Sequence, residues 1–167
     1  RDSWIEVCLA DKRRGFVQRS LVHEYESWKR SRRYTPTAIE STAFKFLGFP
    51  YLWGGNSVKG FDCSGFVSTV FGLNGKELLR DADMQATMGI AVEPGNNFEH
   101  LKKGDLVFFG EAGTKKRAEH ITHVGIYLDS LKVIHCSGNV HVSSFDRRSP
   151  YYDPALRRLF LRARRID

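Results

Sequence analysis

The amino-acid sequence predicts an α+β fold in which helices come first and an antiparallel sheet follows. Residues 37–88 contain apolar residues at helical spacing, whereas residues 103–142 contain short apolar runs separated by turns. Helices followed by strands indicate α+β, because a wound parallel sheet requires the two to alternate. With 167 residues, the chain is long enough for one domain and a smaller element before it.

The N-terminal 36 residues predict that smaller element and a linker. Residues 1–22 fit a β-hairpin around a charged turn. A lone hairpin is barely stable in water, so we expect it to end a small β-barrel, with Cys8 buried as a structural thiol. Residues 23–36 are polar and basic and predict a linker with a short helical turn. Because the chain does not begin with methionine, we expect it to derive from a longer precursor.

Three helices are predicted before the strands. Thr37 is expected to cap the first helix, Glu40 to complete a capping box and Gly48 to end the helix. The second helix begins at Cys63, because apolar residues recur at helical spacing after it, namely Phe66, Val67, Val70 and Phe71. The third helix is short and ends near Met88.

The second half of the chain predicts the sheet. Strands are expected at residues 106–109, 121–128, 132–136 and 140–142, with residues 158–166 closing the sheet. A turn at Asp129 and Ser130 makes a hairpin of the second and third strands. His135 and Cys136 are adjacent in one strand, so their side chains point to opposite faces, and Cys136 is assigned to the core.

Cys63 is a candidate nucleophile. It lies at the start of a helix, where unpaired backbone N–H groups favour a thiolate and can receive an oxyanion. The alternative is a small buried apolar residue, which is the role of most free cysteines. Three cysteines without a C-x-x-C pair form neither a disulfide framework nor a zinc motif, so at least one thiol is free.

Two histidines in predicted strands, His123 and His135, complete a set for thiol acyl transfer. That chemistry requires a thiol, an imidazole that takes its proton and a polar group that orients the imidazole. The alternative is a metal site made of Cys63 and the same two histidines. No carboxylate near either histidine in sequence supports a metal-bound imidazole, so catalysis is favoured and no metal site is predicted.

Charge and composition bear on the partners. The formal net charge of +7 suits an anionic partner. Aromatic residues do not interleave with the basic residues of the two clusters, at 29–33 and 157–165, as a stacking platform would require, so a nucleic-acid platform is not predicted. A bacterial wall would be attracted by the same charge. No apolar run approaches the roughly 18 residues that cross a bilayer, so no membrane span is predicted.

Five motifs together resemble those of the NlpC/P60 family of papain-like cell-wall cysteine peptidases. They are Tyr-Leu-Trp-Gly-Gly at residues 51–55, Asp-Cys-Ser-Gly-Phe at 62–66, Gly-Asp-Leu-Val-Phe-Phe at 104–109, Thr-His-Val-Gly-Ile-Tyr at 122–127 and Ile-His at 134–135. The resemblance implies a papain-like peptidase domain over residues 37–167. It also implies Cys63 as nucleophile, His123 as base and His135 as the orienting residue, with no cofactor.

The N-terminal segment carries a second resemblance. Residues 1–22 resemble the C-terminal end of a bacterial SH3-like domain, which often precedes this peptidase, and residues 23–36 would link the two. In the family, the pocket for the substrate amine also takes residues from the SH3-like domain, most of which lie outside this sequence.

The resemblance is closest to the branch that cleaves between γ-D-glutamate and a diamino acid in stem peptides with a free N-terminal L-alanine. It implies a substrate site made of Tyr51, Trp53, Asp62, Ser64, Arg80 and Asp81. Asp81 would bind the α-ammonium of the substrate, although its position equally suits a helix cap. The basic loop at residues 111–119 lengthens the spacing between Cys63 and His123 and is expected to reach the rim of the site.

The sequence therefore predicts an exported bacterial cysteine peptidase, periplasmic, secreted or associated with the envelope. Its substrate would be peptidoglycan stem peptides or released muropeptides, with lysine or diaminopimelate after the cleaved bond. Two alternatives stay open, a wall-binding module without activity and a thiol acyltransferase that uses the same triad. The oligomeric state is not predicted.

Overall fold

The computed structural model describes residues 3–167, and the chain falls into two compact units, Arg1–Arg32 and Arg33–Asp167. In the first unit, strands β1 (Trp4–Cys8) and β2 (Arg14–Gln18) pair antiparallel, which confirms the predicted hairpin. Helix α1 (Tyr25–Ser31) follows after one 3-10 turn.

Cys8 is exposed, so the prediction that it is buried is wrong. It is the last residue of β1, and the sheet that contains it has only two strands among residues 3–167. Two strands provide no second layer to cover a side chain, and Trp4 and Phe16 of the same hairpin are 61% and 70% exposed. The assignment of residues 1–22 to an SH3-like domain stays a prediction.

The second unit combines helices with a six-stranded antiparallel sheet, as predicted. Its helices are α2 (Pro36–Phe44), α3 (Cys63–Gly72), α4 (Ala82–Gln85) and α5 (Pro154–Leu159). Two short strands, β3 (Asn56–Ser57) and β4 (Gly60–Phe61), pair with each other before α3. The large sheet has the order β5-β10-β6-β7-β8-β9 and consists of β5 (Ile90–Val92), β6 (Leu106–Glu111), β7 (His120–Tyr127), β8 (Lys132–Ser137), β9 (Asn139–Ser144) and β10 (Phe160–Arg165).

The predicted strands all form, and β10 closes the sheet by pairing with both β5 and β6. Sequence patterns missed β5, because a strand of three residues is too short to show alternation. They also missed α5, whose last two residues, 158 and 159, fall within the segment that was predicted as the closing strand.

Helix α2 is capped by Thr35 and not by Thr37. The Thr35 hydroxyl accepts a hydrogen bond from a backbone amide of the first turn, and Pro36 takes the first helical position, where a missing N–H costs nothing. Glu40 forms an ion pair with Lys103 at 2.6 Å in place of the predicted capping box. Thr35 and Thr37 are both suitable N-cap residues by type, so the sequence pattern alone does not distinguish them. Pro36 favours Thr35, because proline is preferred at the first position of a helix.

The sheet has an apolar cluster on each face. The larger cluster includes residues of α2 and α3 together with alternate strand residues, and the smaller one includes residues of α5. Strand β8 shows the alternation, because Ile134 and Cys136 belong to the larger cluster and Val133 to the smaller. Cys136 is fully buried, which confirms its assignment to the core.

The start of α3 lies against the loop of the Tyr-Leu-Trp-Gly-Gly motif. The backbone amide of Asp62 donates to the carbonyl oxygen of Gly55 at 2.9 Å. A Cβ atom on Gly65 would lie 2.1 Å from that same oxygen, and a Cβ on Gly55 would lie 2.5 Å from the carbonyl oxygen of Gly60. These glycines are therefore required for close backbone approach, and their contact fixes the position at which α3, and with it Cys63, begins.

We predict that Gly65→Ala destabilises the protein by about 1–3 kcal/mol, the usual cost of forcing extra volume into a packed site. Gly72→Ala is the matched control in the same helix, because nothing lies within 4 Å of a Cβ atom at Gly72. The control should be neutral or stabilising by up to about 1 kcal/mol, the helix preference for alanine over glycine. Urea unfolding of both variants measures the difference, and equal stability of the two would contradict the packing argument.

Candidate active site

Cys63 is the first residue of α3 and is 9% exposed. The N-cap residue Asp62 fixes the first turn, since its carboxylate accepts a hydrogen bond from the backbone amide of Gly65 at 2.6 Å. Helix α3 packs on β7 and β8. Cys63 and Val124, the residue after His123, belong to the same buried cluster. The fold thus brings the predicted nucleophile to the strand segment that carries the predicted base.

Cys63 lines a cleft of about 690 Å³ together with every residue predicted to contact substrate, namely Tyr51, Trp53, Asp62, Ser64, Arg80 and Asp81. Neither predicted histidine is among the residues that line this cleft, but its wall includes Ile121 and Thr122, directly before His123 in β7. Asp83 and His120 also line the cleft and were not predicted. Residues far apart in sequence therefore converge on one site, as the motifs indicated.

The histidines form a chain of hydrogen bonds that ends at a serine. Nε2 of His123 lies 2.9 Å from Nδ1 of His135, and Nε2 of His135 lies 3.0 Å from the hydroxyl of Ser143. Gly125 lies opposite His135 in the sheet, and a Cβ atom at Gly125 would come within 3.1 Å of that of His135. The glycine of the His-Val-Gly motif therefore makes room for the second histidine.

Ser143 was not predicted, although the sequence held a signal for it. Residues 141 and 143 of β9 are separated by one residue, so they share a face of the sheet. His141 pairs with His135 across β8 and β9, which places a polar face of β9 beside the second histidine. Predicting this required the register between the strands as well as the strands themselves.

Burial raises the pKa of the Cys63 thiol above its ordinary value of 9.0, and the charge of Asp62 adds to the rise. Hydrogen bonds from the backbone amides of Val124, Ser64 and Cys63 itself favour the thiolate but do not outweigh burial. The expectation that the helix start makes this thiol ionise more easily is therefore wrong for the resting protein. The thiol stays neutral until a base takes its proton.

Burial also lowers the pKa of His123 to about 4 and that of His135 well below its ordinary value. The charge of His141 lowers both pKa values further. Both imidazoles are therefore uncharged at neutral pH, and an uncharged imidazole is the form that accepts a proton. The resting site combines a neutral thiol with a neutral base.

Arg80 forms hydrogen bonds with two residues at the start of α3, Asp62 and Ser64. Its guanidinium donates to both carboxylate oxygens of Asp62, at 2.6 and 3.1 Å, and to the hydroxyl of Ser64 at 2.9 Å. Burial alone would raise the pKa of Asp62, but the hydrogen bonds from Arg80 and from the amide of Gly65 hold it below its usual value. Asp62 is thus ionised beside the thiol, and its charge is balanced by Arg80.

Gln85 holds the Arg80 segment against α3. It is fully buried, and its amide nitrogen lies 2.9 Å from the carbonyl oxygen of Leu79 and 3.2 Å from that of Ser64. A third acceptor, the hydroxyl of Ser68, is also at 2.9 Å. Sequence analysis missed Gln85, because a glutamine in a short helix is normally exposed.

Asp81 occupies the N-cap position of α4, but its side chain makes no capping hydrogen bond. Its carboxylate is 61% exposed and lies 4.0 Å from Arg80, a guanidinium that already binds Asp62. The helix-cap alternative is therefore not supported. The structure leaves a carboxylate in the cleft that can receive a cationic group of a ligand.

The loop at residues 111–119 folds back on its neighbouring strands. Arg117 pairs with Glu111 at 2.5 Å and Arg162 of β10 pairs with Glu119 at 2.6 Å. The part of this region that borders the cleft is His120, the first residue of β7. None of residues 111–119 lines the cleft, so the expectation that this loop reaches the rim is not supported.

Two other expectations concern metals and membranes. Among residues 3–167, no group of three or more His, Cys, Asp or Glu is arranged to hold a metal ion, so the metal-site alternative is not supported. In the same part of the chain, none of the helices has both the length and the apolar character that crossing a membrane requires.

The antiparallel sheet, with a cysteine at the start of a helix packed on it, defines a papain-like α+β fold. A model of the NlpC/P60 family matches residues 48–160, which is more than half of the chain. The chain therefore belongs to the NlpC/P60 family, as its motifs indicated.

Individual relatives agree with this assignment. Gamma-D-glutamyl-L-lysine dipeptidyl-peptidase of Bacillus subtilis is 48% identical over 58% of this chain and 30% of its own length. Dipeptidyl-peptidase 6 of Lysinibacillus sphaericus is 31% identical over 89% of this chain and 51% of its own. The crystal structure of an NlpC/P60 family protein from Bacillus cereus matches with a TM-score of 0.78 and 29% identity, over 97% of this chain and 50% of that one. The chain spans about half or less of the length of these relatives.

We predict that the activity of this site persists well below the ordinary pKa of histidine. Because the pKa of His123 is about 4 rather than 6.5, the base loses its function only when the pH falls towards 4. A profile of kcat/KM against pH should therefore fall on the acid side with a midpoint near 4. A midpoint at 6.5 or above would show that the imidazole is not desolvated as the structure indicates.

The same pKa shift requires a folding control. As the pH falls below 6.5, the unfolded chain binds a proton at this histidine before the folded protein does, so stability declines between pH 6.5 and 4. Circular dichroism at each pH separates loss of the base from unfolding.

Proposed function

We propose that this chain contains the catalytic part of a cysteine peptidase that hydrolyses the γ-D-glutamyl–diamino-acid bond in peptidoglycan stem peptides. The observation that carries the proposal is the position of Cys63, at the start of α3 and in the same buried cluster as Val124, the residue that follows His123. The hydrogen bond from His123 to His135 supports a base held in one orientation. Two relatives whose names specify dipeptidyl-peptidases, one of them for γ-D-glutamyl-L-lysine, support the substrate class.

The proposed reaction begins with a proton transfer. His123 takes the thiol proton of Cys63, and the thiolate attacks the carbonyl carbon of the γ-glutamyl bond. Cys63 and Ser64 are the first two residues of α3, so their backbone amides have no acceptor within the helix and would receive the oxyanion. The imidazolium of His123 protonates the leaving amine of the diamino acid, and water then hydrolyses the thioester with His123 again as base.

Substrate selection would depend on the charges of the cleft. Asp81 is exposed and weakly paired, so its carboxylate can bind the α-ammonium of an N-terminal L-alanine. An acylated N-terminus carries no charge and would leave this carboxylate without a partner. Asp62 cannot take this role, because Arg80 already neutralises it. We propose lysine or diaminopimelate as the residue after the bond.

The proposal extends to the setting of the enzyme. Peptidoglycan lies outside the cytoplasmic membrane, so we propose a bacterial protein that is exported to the periplasm, envelope or medium. The net charge of +7 suits the anionic wall or its released fragments. We also propose an SH3-like domain ending in residues 1–22 and a linker at residues 23–36, ahead of the peptidase domain at 37–167.

Cleavage of defined peptides tests the proposed function. We expect the protein to cleave L-Ala-γ-D-Glu-diaminopimelate or its lysine counterpart between glutamate and the diamino acid, and Cys63→Ala to abolish cleavage. Mass spectrometry of the products identifies the bond. Cleavage that persists in Cys63→Ala would overturn the thiol mechanism. Binding to purified wall without cleavage would favour the wall-binding alternative, and transfer to added amines would favour the acyltransferase.

A second prediction concerns Asp81. With the free tripeptide as substrate, Asp81→Asn should lower kcat/KM about 10–100-fold, since it removes a charge-assisted hydrogen bond, and should leave the N-acetylated peptide almost unaffected. Asp83→Asn makes the same charge change on the same cleft two residues away. If both variants lose activity equally, the overall charge of the cleft, and not Asp81, selects the substrate.

A further inference from the structure

Ser143 ends the hydrogen-bond chain that begins at His123. It lies in β9, its side chain is 4% exposed, and its hydroxyl is 3.0 Å from Nε2 of His135. A serine hydroxyl can donate or accept a hydrogen bond, so its direction affects the protons on both histidines. The structure therefore places a switchable group at the buried end of the proposed catalytic set.

The hydrogen bond between the histidines permits two arrangements of protons. Nε2 of His123 and Nδ1 of His135 are 2.9 Å apart and share one proton when both rings are neutral. In the first arrangement His123 carries it on Nε2, which leaves its Nδ1 bare. In the second, His135 carries it on Nδ1, and His123 must then hold its own proton on Nδ1. Since Nε2 of His123 is engaged with His135, only the first arrangement leaves the nitrogen that can take the thiol proton free.

The direction of the Ser143 hydrogen bond distinguishes the two arrangements. In the first, His135 is protonated on Nε2 and donates to the Ser143 oxygen. In the second, Nε2 of His135 is bare and accepts from the Ser143 hydroxyl. The active arrangement thus requires Ser143 to act as an acceptor, since a buried N–H without an acceptor is unfavourable.

We propose that Ser143 is a positioning residue that accepts a hydrogen bond from His135 and so keeps His123 in the tautomer that can accept the thiol proton. The proposal rests on the proposed function, because it assigns a role within that reaction. The proton taken from Cys63 stays on Nδ1 of His123 and passes from there to the leaving amine. The bonds to His135 and Ser143 keep their protons throughout and stabilise the imidazolium.

The test compares two neighbouring serines. Ser144 is also buried, but its hydroxyl donates to the carbonyl oxygen of Leu131 at 3.2 Å and accepts from the amide of Asp146 at 3.0 Å, away from the histidines. Ser143→Ala should lower kcat about tenfold, the effect of one lost hydrogen bond to a charged group, with KM unchanged. Ser144→Ala should leave kcat unchanged, and Ser143→Thr, which keeps a hydroxyl, should restore most of the activity.

Imidazole ¹⁵N spectra test the tautomers without any substrate. In the unmodified protein at neutral pH, we expect His123 and His135 both to be protonated on Nε2 and bare on Nδ1. Ser143→Ala should shift the pair towards the second arrangement, whereas Ser144→Ala should not.

Several outcomes would overturn the proposal. They are a His135 protonated on Nδ1 in the unmodified protein, tautomers that do not respond to Ser143→Ala, or equal losses of kcat in Ser143→Ala and Ser144→Ala. Failure of the proposed function is a separate result, since it would appear as peptide cleavage by Cys63→Ala or as no cleavage by the unmodified protein. The tautomers can be read in either case.

Discussion

The close approach of two backbone segments at Gly55 and Gly65 is the constraint on which the site depends. No side chain can stand between them, since an added Cβ atom at Gly65 would lie 2.1 Å from the Gly55 carbonyl oxygen. The contact sets the first turn of α3, and the same loop carries Tyr51 and Trp53 into the cleft wall. One packing contact therefore positions both Cys63 and part of its proposed substrate site. A hydrogen bond alone would hold the two backbone segments less rigidly.

Burial has two consequences at this site. It gives Cys63 a fixed position among packed residues, and it also raises the pKa of the thiol and lowers that of His123. Both shifts oppose the charged pair that thiol chemistry needs. Backbone amides at the start of α3 and at Val124 favour the ionised thiol, so the negative charge would form beside donors that the fold already holds in position. The same burial that holds these groups in position also keeps the thiol and the imidazole uncharged in the resting protein.

The sequence predicted the elements whose residues follow a regular spacing or contact neighbours along the chain. Short apolar runs bounded by turns located most of the strands, and the helical spacing after Cys63 located α3, because each pattern belongs to a single element. What it missed depended on partners distant in sequence. Cys8 is exposed because its sheet has two strands, and Ser143 and Gln85 acquire their roles from the register of β9 and from the carbonyl groups around Leu79. The thiol pKa was predicted in the wrong direction, because a helix start is visible in sequence and the degree of burial is not.

Two polar chains divide the proposed chemistry between them. One is charged, with Arg80 and Asp62 as an ion pair that fixes the helix start, and the other is neutral, with His123, His135 and Ser143 in sequence. If the thiol were activated by the charged chain, Asp62 would repel the thiolate it is meant to stabilise. In the proposed reaction the thiol proton therefore passes to His123, while the hydrogen bonds from His123 to His135 and from His135 to Ser143 keep their own protons. This division would make an ionised carboxylate beside Cys63 compatible with the proposed thiol catalysis.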